Sequence, residues 1–191
     1  IRDSYRTLPN VIVLHPSDVV STKELTIQLA ATGSPSYTRT ARNKTPVLYE
    51  GRESEVKIGK GIVLRNGSDV AIIACGVMVS QSLEAAEALA GEGINATVVD
   101  MHTLKPLDGD LVDRLVAHCG AIVTAEDHNI IGGLGGAVAE HLTANTFAPL
   151  ERVGVQDRFG ESGQADEMLE VMQISAPYIA AAAKRAIARK D

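Results

Sequence analysis

The chain has 191 residues, 45% of them hydrophobic and 22% charged, which suits one full domain plus a remnant, or two small domains, and excludes disordered and collagen-like polypeptides. Its 18 Lys and Arg stand against 24 Asp and Glu, a net charge of −6, and the cations are scattered rather than gathered into the basic stripe that nucleic-acid binding needs. Aromatic residues at 3% and the absence of Trp argue against a base-stacking surface or an aromatic-cored β-sandwich, so nucleic acid is not an expected partner.

Taken in order, Val11 to Leu14 reads as a strand, His15 to Asp18 as a turn and cap, and Val19 to Ala31 as a helix that Gly33 ends. Pro35 to Thr40 is a second expected strand. It leaves Ala41 to Pro46 as a polar loop at a strand's carboxyl end, where open α/β sheets bind ligands. From Val47 to Lys60 the composition turns polar, which predicts a linker and a domain boundary near residues 50–57.

Beyond the boundary, β-branched runs alternate cleanly with amphipathic stretches. Strands are expected at Val70–Cys75, Ala96–Asp100, Ala121–Ala125 and Leu150–Val155, and helices at Ser80–Glu92, Leu107–His118 and Leu134–Ala144. A terminal helix is expected from Pro177, with basic residues in its last turns suiting the helix dipole. The expected fold class is α/β: a doubly wound, mainly parallel sheet over 68–191, a linker at 51–67, and a partial α/β unit over 1–50.

Cys75 and Cys119 lie in or beside apolar runs without zinc-type spacing and read as buried free thiols. No apolar stretch of 18 or more residues occurs, so no membrane association and a cytoplasmic setting are expected. Gly132 to Gly136 follows a strand and opens a helix, which suits either an anion at backbone amides or simply close helix packing. Glu126-Asp127-His128 at a strand's carboxyl end could tune a proton donor or form a hydrogen-bonding cluster. Asp108-Gly109-Asp110 is too sparse for a calcium loop, and Asp108 is better explained as a helix cap. Asp157 to Gly163 combines an acid–base pair, an aromatic expected to be buried, and two glycines. Arg39 and Arg42 flank a strand end, where a guanidinium can grip a phosphate or carboxylate in two places or simply stay solvated.

Several strings together resemble the thiamine-diphosphate-dependent transketolase family: RTLPNVIVLHPSD (6–18), SPSYTRTARNKTP (34–46), IGKGIVLRNGSDVAIIACG (58–76), VVDMHTLKPLD (98–108), EDHNIIGGLGGAVAEHL (126–142) and DRFGESG (157–163). Their order is that of the family's C-terminal half. The resemblance implies that residues 1–50 are the last part of a pyrimidine-binding domain and 68–191 a transketolase C-terminal domain. It implies transfer of a two-carbon ketol unit between phosphorylated sugars. Thiamine diphosphate and Mg (or Ca) would be bound mainly by parts absent from this chain, since no GDG motif with its metal-binding Asn and no activating glutamate is found. The implied partners are an N-terminal half or subunit, a homodimer of the complete unit, and sugar phosphates.

Arg42 falls where the family binds the sugar phosphate, with Arg39 a second candidate; Glu126 and His128 are assigned to an interface. No catalytic residue and no metal ligand are expected here, and the isolated chain is expected to be inactive. The C-terminal part of a deoxyxylulose-phosphate synthase or of a 2-oxo-acid dehydrogenase beta subunit is an alternative, although DRFGESG with SPSYTRTAR favours transketolase. A non-catalytic dimerisation module, with a small anion at Gly132–Gly136, is another. Residues 7–48 are too few for an independent core and are expected to be partly mobile or docked on a symmetry mate.

Overall fold

The Val70–Ala74 run, VAIIA, is buried at every position, which a strand achieves only when both faces of its sheet are covered. In the structure, a computed structural model describing residues 2–190, this segment is the middle strand of a five-stranded sheet. The elements are α1 (Arg2–Thr7), β1 (Ile12–Leu14), α2 (Val19–Thr32), β2 (Ser36–Thr38), β3 (Ile62–Arg65), β4 (Val70–Ala74), α3 (Met78–Gly91), β5 (Ala96–Asp100), β6 (Thr103–Lys105), α4 (Gly109–Cys119), β7 (Ile122–Asn129), α5 (Leu134–Asn145), β8 (Leu150–Val155), α6 (Ala165–Val171) and α7 (Ala176–Ile187). The large sheet runs β3-β5-β4-β7-β8, parallel except for the antiparallel edge strand β3.

Two-residue alternation divides β4 between two cores. Val70, Ile72 and Ala74 join Met78, Ala86 and Leu89 of α3 and Ile179 and Ala183 of α7 on one face. Ala71 and Ile73 join Leu111 and Leu115 of α4 and Leu134 and Val138 of α5 on the other. The doubly wound α/β class expected from the sequence is thus present. Asp108 caps α4 by accepting from the Leu111 amide, and Asp18 caps α2 through the Ser21 amide at 2.7 Å.

Within this chain the early segment packs against later elements. β1 pairs in parallel with β2 and antiparallel with β6, so a three-stranded sheet joins the early segment to the chain that follows β5. The segment expected as linker, 51–67, contains β3, whose Ile62 and partly buried Leu64 pack with Leu14, Leu25, Tyr49 and Val56. At four residues, this edge strand is too short to give a readable period within the polar stretch around it. α3 also begins earlier than expected, at Met78, because Val77 rather than a Ser80 side chain stands at its start.

A buried acid ties these parts together. Asp100, at the end of β5, accepts from the Ser17 hydroxyl and from the Tyr49 hydroxyl at 2.8 Å, while its Oδ1 has no partner among the described residues. Burial is the largest influence and pushes the carboxyl up to about 7; the two hydroxyls pull it back and the Asp18 charge adds to the rise.

An unfolded chain ionises this group near 3.8 whereas the folded protein keeps its proton to about 7. Its contribution to stability is therefore full below the unfolded value and is lost as pH rises through the folded one, at up to about 1.4 kcal/mol per pH unit. Asp100→Asn should gain on wild type by about 1–3 kcal/mol between about pH 5 and about pH 7.5 in urea unfolding. His15 and His102, which burial holds neutral, act equally in both proteins and cancel in the difference. Parallel stability curves would show that Asp100 ionises normally.

Candidate functional site

Strand β7 continues past the ends of its neighbours. Ala125 pairs with Val153 but Asn129 with Val155, so three residues of β7 face one of β8 and the strand bulges. Those three are Glu126, Asp127 and His128, expected at the strand's carboxyl end and found within the strand itself. Each takes a different partner from the first forty residues.

Glu126 is buried and accepts from the Leu134 amide at 2.9 Å and the Gly135 amide at 2.8 Å, the open N-terminal donors of α5. Its Oε2 also takes the guanidinium of buried Arg2. Of the two readings of Gly132–Gly136, close packing and an anion at the amides, the structure shows both, and the anion on the amides is the protein's own Glu126 carboxylate. A Cβ on Gly133 would overlap that carboxylate, which accounts for the glycine. His128 pairs through Nδ1 with Asp3 at 2.8 Å, so Glu126 and His128 both face α1.

Arg2 Nη1 also lies 3.1 Å from His15 Nδ1. A guanidinium only donates, so Nδ1 accepts and the imidazole proton sits on Nε2, which faces Asp127 Oδ1 at 3.7 Å. Burial, reinforced by the charges of Arg39, Arg2 and His128, holds His15 well below the usual histidine range, and the ring is neutral. Gly76, at φ +58°, lies so close to this ring that any side chain would overlap it.

Asp127 takes Arg39 in a two-pronged pair: Nη1 to Oδ1 at 3.0 Å, Nη2 to Oδ2 at 2.8 Å, and Nη1 also to the Asp127 carbonyl at 2.8 Å. Burial pushes the Asp127 carboxyl up, and the Arg39 and Arg2 charges pull it back. Arg39 and Asp127 form one wall of a cleft of about 1210 Å³ that His15, Arg42, Lys44 and Gln81 also line. Arg42 is exposed and, like Lys44, makes no ion pair among the described residues. The structure thus brings Arg39 and Arg42 to one cleft but commits Arg39 to a carboxylate.

The far wall comes from 160–174, just after Phe159, which is 97% exposed rather than buried because the segment before α6 has no element packed over it. Asp127, His15 and Lys44 were not singled out as a set by the sequence. The one signal was the acid–imidazole run at a strand end. Among the described residues no group of three or more His, Cys, Asp or Glu side chains is placed to hold a metal ion, and no helix is long and apolar enough to cross a membrane.

A family model described as "Transketolase, C-terminal domain" matches residues 59–179. The 6-deoxy-6-sulfo-D-fructose transketolase subunit SqwH of Clostridium sp. (strain MSTE9) is 42% identical over 186 residues, 97% of this chain and 58% of that protein. A 1-deoxy-D-xylulose-5-phosphate synthase of Crocosphaera subtropica is 37% identical over 180 residues, 92% of this chain and 28% of the synthase. The solved structure "Split gene transketolase, inactive beta4 tetramer" superposes with a TM-score of 0.96 at 40% identity, covering 100% of this chain and 62% of that one. The chain spans less than two thirds of each of these relatives.

Gly133→Ala should displace the Glu126 carboxylate and strand two buried amides and Arg2, at a cost of about 2–4 kcal/mol. Gly91→Ala, in the last turn of α3 with nothing within 4 Å of the added carbon, should be neutral or stabilising by up to about 1 kcal/mol. Denaturant midpoints compare the two; equal midpoints would show that Glu126 does not depend on the glycine.

Proposed function

The chain belongs to the transketolase family through its C-terminal domain, and on that premise we propose that it is the C-terminal section of a two-chain enzyme that moves a two-carbon ketol unit between phosphorylated sugars. The observation that carries this reading is the cationic arm at the cleft. Arg42 and Lys44 stand on it with no ion-pair partner among the described residues, in a protein of net charge −6. Of the carboxylates lining the cleft Asp127 and Glu161 are paired, while Glu84 and Asp166 lie exposed on the other walls. Unpaired cations at the rim of a cleft at strand ends suit the anionic end of an extended substrate.

The partner is an N-terminal section. It would supply thiamine diphosphate and its Mg (or Ca), because among the described residues no group of three or more His, Cys, Asp or Glu side chains is placed to hold a metal. The carbanion chemistry is then the cofactor's, and this chain's part is to receive and orient the phosphorylated sugar. A homodimer of the two-chain unit and a cytoplasmic setting complete the proposal. The buried free thiols Cys75 and Cys119 suit a reducing compartment. That a close structural relative forms an inactive β4 tetramer supports inactivity of this chain by itself.

The relationship to a deoxyxylulose-phosphate synthase favours one second reading, in which pyruvate is the donor.

The test is to mix the chain with a matching N-terminal section, thiamine diphosphate and Mg, and assay ketol transfer against phosphorylated sugars, a 6-sulfo sugar and pyruvate with a triose phosphate. Transfer between phosphorylated sugars, absent from either chain alone, is the expected result. Turnover of pyruvate alone would select the second reading, and no turnover with any donor would overturn both. Arg42→Ala should raise KM for phosphorylated acceptors about tenfold or more, the loss expected for a charge-assisted phosphate contact.

A further inference from the structure

We propose that the Asp127–Arg39 pair is a strut that positions the anion-binding arm, so that both are positioning residues and Arg39 is not a substrate ligand. This deepens the reading above and rests on it.

The arm is residues 40–47. It enters from Arg39, whose amide bonds to the Leu14 carbonyl at 3.0 Å, and it leaves at Leu48, whose amide donates to Asp18 Oδ2 at 2.7 Å. Between these points no hydrogen bond reaches residues 40–47 among the described residues, and no helix or strand forms. An eight-residue stretch held only at its ends has wide freedom, since it could extend to roughly 27 Å. The side-chain tether at its entrance is the three-bond grip of Arg39 on Asp127, with side chains 32% and 18% exposed.

Asp127 is itself held rigidly. It lies on the bulge of β7, between Glu126, locked to the α5 amides and Arg2, and His128, paired with Asp3. Arg42 is three residues beyond Arg39, so the angle of the Arg39 fork sets where the free guanidinium of Arg42 hangs over the cleft. Arg39 spends three of its five N–H donors on Asp127, and the carboxylate offsets its charge, which weakens its pull on a further anion. The pair is also close to neutral as a unit, which leaves Arg42 and Lys44 as the cations an anion on the arm would meet.

Charge and position are separable by substitution. Arg39→Lys keeps the charge and loses the fork. The double variant Arg39→Ala/Asp127→Asn keeps the net charge of the pair at zero while removing the strut. In the two-chain complex, both should raise KM for a phosphorylated acceptor about five- to twentyfold with kcat changed less than twofold, and leave KM for glycolaldehyde, which has no phosphate, unchanged. Wild-type KM in the double variant would overturn the proposal, as would equal loss with both acceptors.

If the wild-type complex catalyses no ketol transfer, it is the functional reading that fails. The strut is then decided by trypsin: cleavage after Arg42 and Lys44, relative to Arg52, should rise severalfold in Arg39→Lys, and an unchanged ratio would overturn it.

Discussion

The carboxyl end of the large sheet depends on one buried carboxylate. Glu126 sits where β7 outruns β4, and a carboxylate in that place is tolerable only if nearly all of its lone pairs are used. Two amides of α5 and the guanidinium of Arg2 use them. The need is mutual: Arg2 is equally buried, and the first turn of α5 would otherwise carry unpaired donors. Helix α1, strand β7 and helix α5 are locked to each other by this exchange, and the bulge that carries Asp127 is fixed as a result.

From that point the electrostatics of the cleft follow by subtraction. His15 is kept neutral by burial and by the cations around it. Asp127 is paired with Arg39, and Asp3 lies against Arg2 and His128. What is left unpaired on the arm is positive, although the whole protein is negative. Glu84 and Asp166 on the other walls are exposed and without an ion pair among the described residues, so the positive field is confined to the arm and would be sensed only close to it.

Joining the two sheets relies on a different kind of contact. The β1–β6 pairing and the Asp100–Ser17–Tyr49 cluster connect the early segment to the later one, and Leu14, Tyr49 and Ile62 share a core. The segment from 51 to 67 therefore takes part in the packing. Glu53 and Glu55 lie at its exposed turn, Arg65 ends strand β3, and Val56 and Ile62 are inside.

By itself the sequence determined the features that depend on neighbours along the chain. The βα alternation, the Asp18 and Asp108 caps, the Gly33 stop and the two-faced burial of VAIIA are all written in spacings of a few residues, and the family strings follow from the same local patterns. Only the tertiary structure decided features whose partners are far apart. β3 and β6 are strands of four and three residues with no period long enough to read, and they exist because an edge was open to them. Arg39 looked like a phosphate ligand because nothing local competes for it. Its carboxylate lies 88 residues away, brought there by a bulge. Glycines 132–136 looked like an anion site for the same reason, and Glu126, reached only when β7 and α5 pack together, is the anion they hold.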